Sequence, residues 1–299
     1  MLREDGLIRN AILIGNKEKI ESNMESISLV GDAIEIIDLN DLKNERLLRQ
    51  EYRKSRNLSI LEDEMLNEAM TDPITIGALL LNLGKVDGFI GGLQTETAKI
   101  LSTGINIVKA NRRIGVVTSL CLIKTENQKI GENGFILITD SVVNPNPSVG
   151  VLCRISEAAA KFAREFLRIK PRIAFLSYSS KGSGIGKSVD KMRIAAVRSQ
   201  KRMPEIEIDG ELQLDAAIIP EIALIKAKES PLQGRANILI FPNLDSANIG
   251  SKFIQFFGNA KLIGPIILGL NKPFNDISRG ADENDLYNLA IVTQLQVKK

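Results

Sequence analysis

The sequence predicts an α/β protein with mostly parallel sheets. Short β-branched apolar runs alternate with amphipathic helical stretches along the whole chain. Several of those runs are apolar throughout rather than at every second residue, as strands covered on both faces are. With 299 residues, the chain is long enough for one large or two medium hydrophobic cores.

The strands are expected at AILIG (11–15), IEIID (34–38), DGFIGG (87–92) and IGVVTSLCLI (114–123), then at FILITD (135–140), RIAFLSYS (172–179), ANILIF (236–241) and LIGPIILGL (262–270). The clearest helix begins after Ser148, a favoured N-cap residue. It places Val151, Ile155, Ala159, Phe162 and Phe166 on one stripe. Residues 248–257 and 284–297 carry weaker versions of the same pattern. Polar loops are expected after three strands, at SYSSKGSG, PNLDSANIG and NKPFNDISRG; in α/β sheets, such loops bind ligands.

Composition narrows the chemistry. The chain has no histidine, which excludes Ser-His-Asp and Cys-His nucleophile pairs and imidazole metal sites. Acid–base work must fall to carboxylate, Lys, Tyr, Cys or backbone. The 39 Lys and Arg against 36 Asp and Glu leave a net charge of +3, and no basic run is longer than a pair such as Arg112-Arg113. Aromatic residues are 4% of the chain, so neither a phosphate track nor a stacking platform for nucleic acid is visible. Cys121 and Cys153, in SLCLI and VLCRI, read as buried thiols of a reducing compartment. No apolar run approaches the roughly 20 residues that span a bilayer. The N-terminal MLREDGLIRN has no hydrophobic signal segment, and a cytoplasmic protein without membrane contact is expected.

Two segments concentrate polar chemistry. KGSGIGKS (181–188) contains the GKS of a phosphate loop, but the leading glycine should stand where Lys181 is, so nucleotide hydrolysis is not supported. The loop can still offer backbone N–H groups to a phosphate with Lys181 as a point charge, or be a plain turn. In FNDISRGADENDL (274–286), Ser278 and Arg279 precede Gly280, Asp282 can cap a helix, and Asp285 stands third after that cap. This spacing fits a reciprocal capping box. It also fits an anion site in which an arginine fork, a hydroxyl and a carboxylate gather at a helix N-terminus. Local spacing leaves both readings open.

Taken in order, several stretches resemble the phosphate acetyl/butyryltransferase family. They are ILIGN (12–16), YRKSRNLS (52–59), DPITIGALLLNLGKVDGFIGG (72–92), FLSYSSKGSG (175–184), the long IDGELQLD…DSANIG stretch (208–250) and GPIILGLNKPFNDISRGADENDL (264–286). The resemblance implies two α/β domains with an intervening cleft, like those of isocitrate and isopropylmalate dehydrogenases. It implies a discontinuous first domain, 1–113 with 268–299, and a second domain, 114–267. It implies transfer of an acyl group, acetyl by overall likeness, between coenzyme A and inorganic phosphate. Coenzyme A is then a substrate, no metal or prosthetic group is needed, and the chain forms a homodimer.

Carried over by resemblance, the catalytic Ser-Arg pair falls on Ser278-Arg279 and the catalytic aspartate on Asp285. A substrate-contacting arginine falls on Arg53. The loop beside the coenzyme A site falls on Ser179, Ser180, Lys181, Gly182 and Ser183, and Asn248 joins the coenzyme contacts. The sequence departs from the family where a Leu-Arg-Pro stretch is usual. It has Leu101-Ser102-Thr103 there, with Thr95 and Lys99 replacing a usual histidine and aspartate upstream. Lys99 restores a cation to that neighbourhood but not an arginine fork. The alternatives are a non-catalytic acetyl-coenzyme A sensor and a phosphate butyryltransferase. A dehydrogenase is disfavoured because no dinucleotide fingerprint is evident.

Overall fold

A computed structural model describes residues 2, 5–27, 34–42, 45–57 and 63–297. The chain runs β1 (Ala11–Gly15), α1 (Lys17–Ser26), β2 (Ile34–Asp38), α2 (Leu39–Leu42), α3 (Arg46–Arg56), α4 (Asp63–Ala69), α5 (Pro73–Asn82), β3 (Phe89–Gly91) and α6 (Thr97–Thr103), which continues as a π-helical turn (Gly104–Val108). It goes on through β4 (Thr118–Lys124), β5 (Phe135–Thr139), α7 (Val149–Glu165), β6 (Arg172–Leu176), α8 (Lys187–Arg202) and β7 (Glu207–Leu212). It ends with α9 (Leu214–Ile218), α10 (Pro220–Lys226), β8 (Ile238–Ile240), α11 (Leu244–Phe257), β9 (Lys261–Leu268), β10 (Phe274–Asp276) and α12 (Glu283–Gln296). These elements form two compact units, one of residues 1–109 and 270–299, the other of residues 110–269. Among the described residues, no helix is long and apolar enough to cross a membrane.

In the first unit, β1 pairs parallel with β2, and β10 pairs parallel with β3 in the register Phe274↔Phe89, Asn275↔Ile90, Asp276↔Gly91. Helix α5 begins as its sequence dictates: the Asp72 side chain accepts the Thr75 N–H, and Pro73 occupies the first turn, where a missing N–H costs nothing. Every residue from Ile74 to Leu81 is buried, as expected for a helix apolar all round. It shares a core with Leu48, Tyr52, Ile100 and Phe274, each large apolar side chain contributing about 1.5–3 kcal/mol. The Phe274 ring stacks on Phe89 at 4.4 Å, anchoring the start of β10 on β3.

The second unit is built on a six-stranded sheet ordered β7-β6-β8-β5-β4-β9. Strands β7, β6, β8 and β5 run parallel, whereas β4 is antiparallel to both β5 and β9. The unbroken burial of β4 from Thr118 to Ile123 therefore reports its interior place in the sheet and not its direction. Strand β7, EIDGEL, escapes sequence detection because its Asp209 and Glu211 are buried carboxylates, and β10 because it is only the tripeptide FND. Helix α7 follows the expected stripe, with Ile155, Ala159 and Phe162 fully buried and the Ser148 side chain capping the Val151 N–H. Helix α11 absorbs most of what reads as a loop at PNLDSANIG.

Candidate active site

The Ser-Arg motif sits where the parallel pairing of β10 with β3 runs out. The Ile277 N–H still donates to Gly91 O at 2.8 Å, and the next residues leave the sheet as an exposed turn. Within it the Ala281 N–H donates to Ser278 O at 3.1 Å and the Gly280 N–H to Ser278 Oγ at 3.4 Å. Ser278 and Arg279 are exposed. Helix α12 follows at once, with Asp282 as its N-cap. Asp282 Oδ1 accepts the Asp285 N–H at 2.8 Å, and Asp285 Oδ2 accepts the Asp282 N–H at 3.2 Å. The capping box anticipated from spacing is thus present. Ser278, Arg279 and Asp285 are gathered on a single turn–helix junction. Beside it lies an open hollow of about 570 Å³, lined by Leu93, Ala281, Asp282, Glu283, Asn284 and Leu286.

Sequence reasoning passed over Asp276, the last residue of β10. It is only 1% exposed. Its Oδ2 accepts the Thr97 hydroxyl at 2.6 Å, while Oδ1 is buried without a hydrogen-bond partner. Burial pushes this carboxyl up to about 6, against the opposing effects of the Thr97 bond and the Arg279 charge. Gly92, at φ +134°, makes room for it: a Cβ there would lie 2.3 Å from Asp276 Oδ1. The available signal was an aspartate ending a short strand two residues before the Ser-Arg pair.

Arg53 lies in the last turn of α3, half-buried, and its main-chain carbonyl accepts the N–H of Asn57, whose left-handed backbone (φ 53°) closes the helix. The resembling stretch YRKSRNLS begins in this turn, and its final two residues lie outside the described residues. Lys99 is committed to Asp72 at 2.9 Å, the N-cap carboxylate of α5, and Ser102 Oγ donates to Lys99 O at 3.0 Å.

In the second unit the loop after β6 is organised around a buried carboxylate. Glu211, 1% exposed, accepts the Ser179 hydroxyl at 3.1 Å and the Gly182 N–H at 2.7 Å through Oε1. The Gly184 N–H donates to Ser179 Oγ at 2.9 Å, and the Ser180 N–H to Ser183 Oγ at 3.0 Å. The Gln213 N–H donates to Ser180 Oγ at 2.9 Å. These N–H groups donate to the chain's own oxygens. Ser179 and Ser180 are buried, whereas Lys181, Gly182 and Ser183 are exposed. Lys181 pairs with Asp209 at 2.5 Å. Asn248 lies on α11, where its Nδ2 donates to Ser141 O at 3.1 Å.

Both cysteines are free and buried. Burial pushes the Cys121 thiol up to about 11, which removes it as a nucleophile near neutral pH. Among the described residues, no group of three or more His, Cys, Asp or Glu side chains is placed to hold a metal ion.

The family model described as Phosphate acetyl/butaryl transferase matches residues 1–294. A phosphate acetyltransferase of Clostridium acetobutylicum is 37% identical over 291 residues, covering 96% of this chain and 86% of that protein. The solved phosphotransacetylase of Streptococcus pyogenes superposes with a TM-score of 0.85 at 34% identity, over 99% of this chain and 88% of that one. A 4-hydroxythreonine-4-phosphate dehydrogenase of Klebsiella pneumoniae, with a TM-score of 0.52 at 13% identity over 95% of this chain and 88% of that one, shares the fold alone. With its mostly parallel α/β sheets and its Ser-Arg-Gly turn leading into α12, the chain belongs to the phosphate acetyl/butaryl transferase family.

Proposed function

We propose that this protein interconverts acetyl-coenzyme A plus phosphate and acetyl phosphate plus coenzyme A. The observation that carries the reading is the junction that places Ser278, Arg279 and Asp285 at one helix start, in a chain of this family. In the thioester-forming direction, Asp285 takes the proton of the coenzyme A thiol. The sulfur attacks the carbonyl carbon of acetyl phosphate, a C–S bond forms, and the bond from that carbon to the bridging oxygen breaks with departure of phosphate. Ser278 donates a hydrogen bond to the reacting centre. Arg279 neutralises the phosphate and the developing oxyanion, and Arg53 positions phosphate or coenzyme.

Magnitudes explain the dependence on cations. Ordinary thiol and aspartate pKa values differ by about 4.6 units, or about 6 kcal/mol, so proton transfer to a carboxylate needs the thiolate stabilised. One well-aimed donor to the developing charge supplies roughly 2.7–4 kcal/mol. The chain's own thiols are buried, which leaves the substrate thiol as the nucleophile. Acyl transfer changes no oxidation state, and the reading uses no metal or prosthetic group.

For the coenzyme we assign Lys181, Gly182 and Ser183 as contacts, with Ser179 and Ser180 shaping the loop and Asn248 holding the start of α11. The residue division 1–109 with 270–299 and 110–269 is taken as the division into domains. A cytoplasmic location suits a chain with two unpaired thiols. Purified protein given acetyl phosphate and coenzyme A is expected to form thioester, faster than with butyryl phosphate. Binding of coenzyme A without turnover overturns the reading.

We further propose a homodimer. On α11, Ile249, Phe253, Phe256 and Phe257 are 63%, 60%, 75% and 80% exposed, and Phe253 stacks on Phe257 at 4.5 Å. An apolar face of this kind marks a contact surface, and a second copy of the chain is the proposed occupant. Phe253→Asp with Phe257→Asp is expected to convert a sedimenting dimer to monomer while the far-ultraviolet circular dichroism is kept.

A further inference from the structure

We propose that Glu211 is a positioning residue for coenzyme A, holding the 179–184 loop from the neighbouring strand in the shape that receives the coenzyme. This proposal takes the loop's ligand from the acyltransferase reading and adds a residue to that reading.

Glu211 lies on β7, which pairs with β6, the strand from which the loop departs. It is 1% exposed. Its Oε1 gathers two donors from different parts of the turn, the Ser179 hydroxyl at 3.1 Å and the Gly182 N–H at 2.7 Å. The Ser179 oxygen in turn accepts the Gly184 N–H at 2.9 Å. The main chain joins in, the Glu211 carbonyl accepting the Lys181 N–H at 3.3 Å. One residue therefore holds Ser179, Lys181 and Gly182 directly, and Gly184 through a single hydroxyl. Asp209, the other buried carboxylate of β7, pairs with the Lys181 side chain.

A plain connection from β6 to α8 has no need of this. A carboxylate has been taken out of water to meet a hydroxyl and an amide, both neutral, which is a costly way to close a turn. The result is a backbone shape that the loop would not hold alone. Lys181 stands at φ 50° and Gly182 at φ 85°, and for a lysine the left-handed region is sparsely populated. Strain of this kind persists only where the surroundings over-determine it, and it gathers at ligand sites. A Cβ added at Gly182 would meet nothing within 4 Å, so this glycine answers to the backbone angle and not to crowding. On the outer side of the turn, Lys181, Gly182 and Ser183 are exposed. Without Glu211 the loop would have to be ordered when the coenzyme binds, and that ordering weakens affinity for the coenzyme alone.

The test is steady-state kinetics with each substrate varied in turn, and calorimetric titration with coenzyme A, for the parent, Glu211→Ala, Glu211→Gln and Ser179→Ala. Glu211→Ala is expected to raise KM and Kd for coenzyme A about tenfold or more, while kcat at saturating coenzyme and KM for acetyl phosphate change by less than about threefold. Glu211→Gln keeps an oxygen that can accept both donors, so its KM for coenzyme A should fall between those of the parent and the alanine variant. Ser179→Ala severs the link to Gly184 and leaves Gly182 on Glu211, so a rise of about threefold in KM for coenzyme A is expected. That variant decides the matter if Glu211→Ala does not fold, and an unchanged KM for coenzyme A in it then overturns the proposal. A folded Glu211→Ala that binds coenzyme A like the parent overturns the proposal alone. So does one in which kcat and both KM values worsen together, the mark of a general structural loss. A parent that binds coenzyme A without turnover overturns the acyltransferase reading, and an unchanged Kd in Glu211→Ala then overturns this proposal as well. A parent that does not bind coenzyme A overturns both.

Discussion

Arg279→Ala is expected to lower kcat/KM for acetyl phosphate by about 10²–10³-fold, the cost of removing one aimed donor from a developing oxyanion. The argument depends on where the residue stands. Arg279 lies on an exposed turn outside the packed core, so its truncation should change stability by no more than about 0.5 kcal/mol. A large kinetic loss on an unchanged unfolding midpoint would therefore belong to the reaction. Arg279→Lys separates charge from shape. A lysine keeps the point charge but cannot present two parallel N–H groups to a phosphate, so its activity should fall between the parent and the alanine variant. Steady-state kinetics with acetyl phosphate, paired with urea unfolding of each variant, checks both statements. Turnover of Arg279→Ala within a factor of a few of the parent would remove the residue from the mechanism. The weight placed on this cation is greater because, apart from Arg53, the cations considered for the site are engaged or missing. Lys99 pairs with Asp72, Lys181 with Asp209, and position 102 holds a serine.

The elements that read clearly in the sequence are those whose burial is uniform or periodic. β1 and β2 fall at the expected residues, and α7 starts at its capping Ser148 with its apolar stripe in the core. Direction was not legible for β4, because an interior strand is covered on both faces whether its neighbours run parallel or antiparallel. β7 was missed for the opposite reason. Its Asp209 and Glu211 are buried to serve the loop above it, and hydrophobic periodicity cannot register a buried carboxylate. The site divides in the same way. Ser278, Arg279 and Asp285 stand out as a local constellation, but Asp276 becomes visible only when Thr97, 179 positions earlier in the chain, and Gly92 are brought against it. The Gly- and Ser-rich loop was legible as a loop after a strand, but its internal bonding was not. Its Gly182 N–H donates to the buried Glu211 side chain, whereas the Gly184 and Ser180 N–H groups donate to Ser179 Oγ and Ser183 Oγ.

The second large effect is expected at Asp285, where one side chain is asked to do two things. As a proton acceptor it should be worth about 10²–10⁴-fold in rate. As the reciprocal member of a capping box it bonds the Asp282 N–H and lies at the positive end of the α12 dipole, a structural contribution of about 1 kcal/mol. Two substitutions pull these apart. In Asp285→Asn the amide oxygen can still accept the Asp282 N–H, so the helix start survives and only the charge–dipole part, about 0.3–1 kcal/mol, is lost. Its basicity is gone, and kcat is expected to fall by the full factor. Asp285→Ala forfeits the bond as well, so it should be the less stable of the two and equally slow. Equal kinetic losses with unequal unfolding midpoints assign Asp285 to the proton transfer. If Asp285→Asn instead turns over like the parent and only Asp285→Ala is impaired, the carboxylate serves α12 alone. Acceptance of the thiol proton would then have to be sought elsewhere on the junction that carries Ser278 and Arg279.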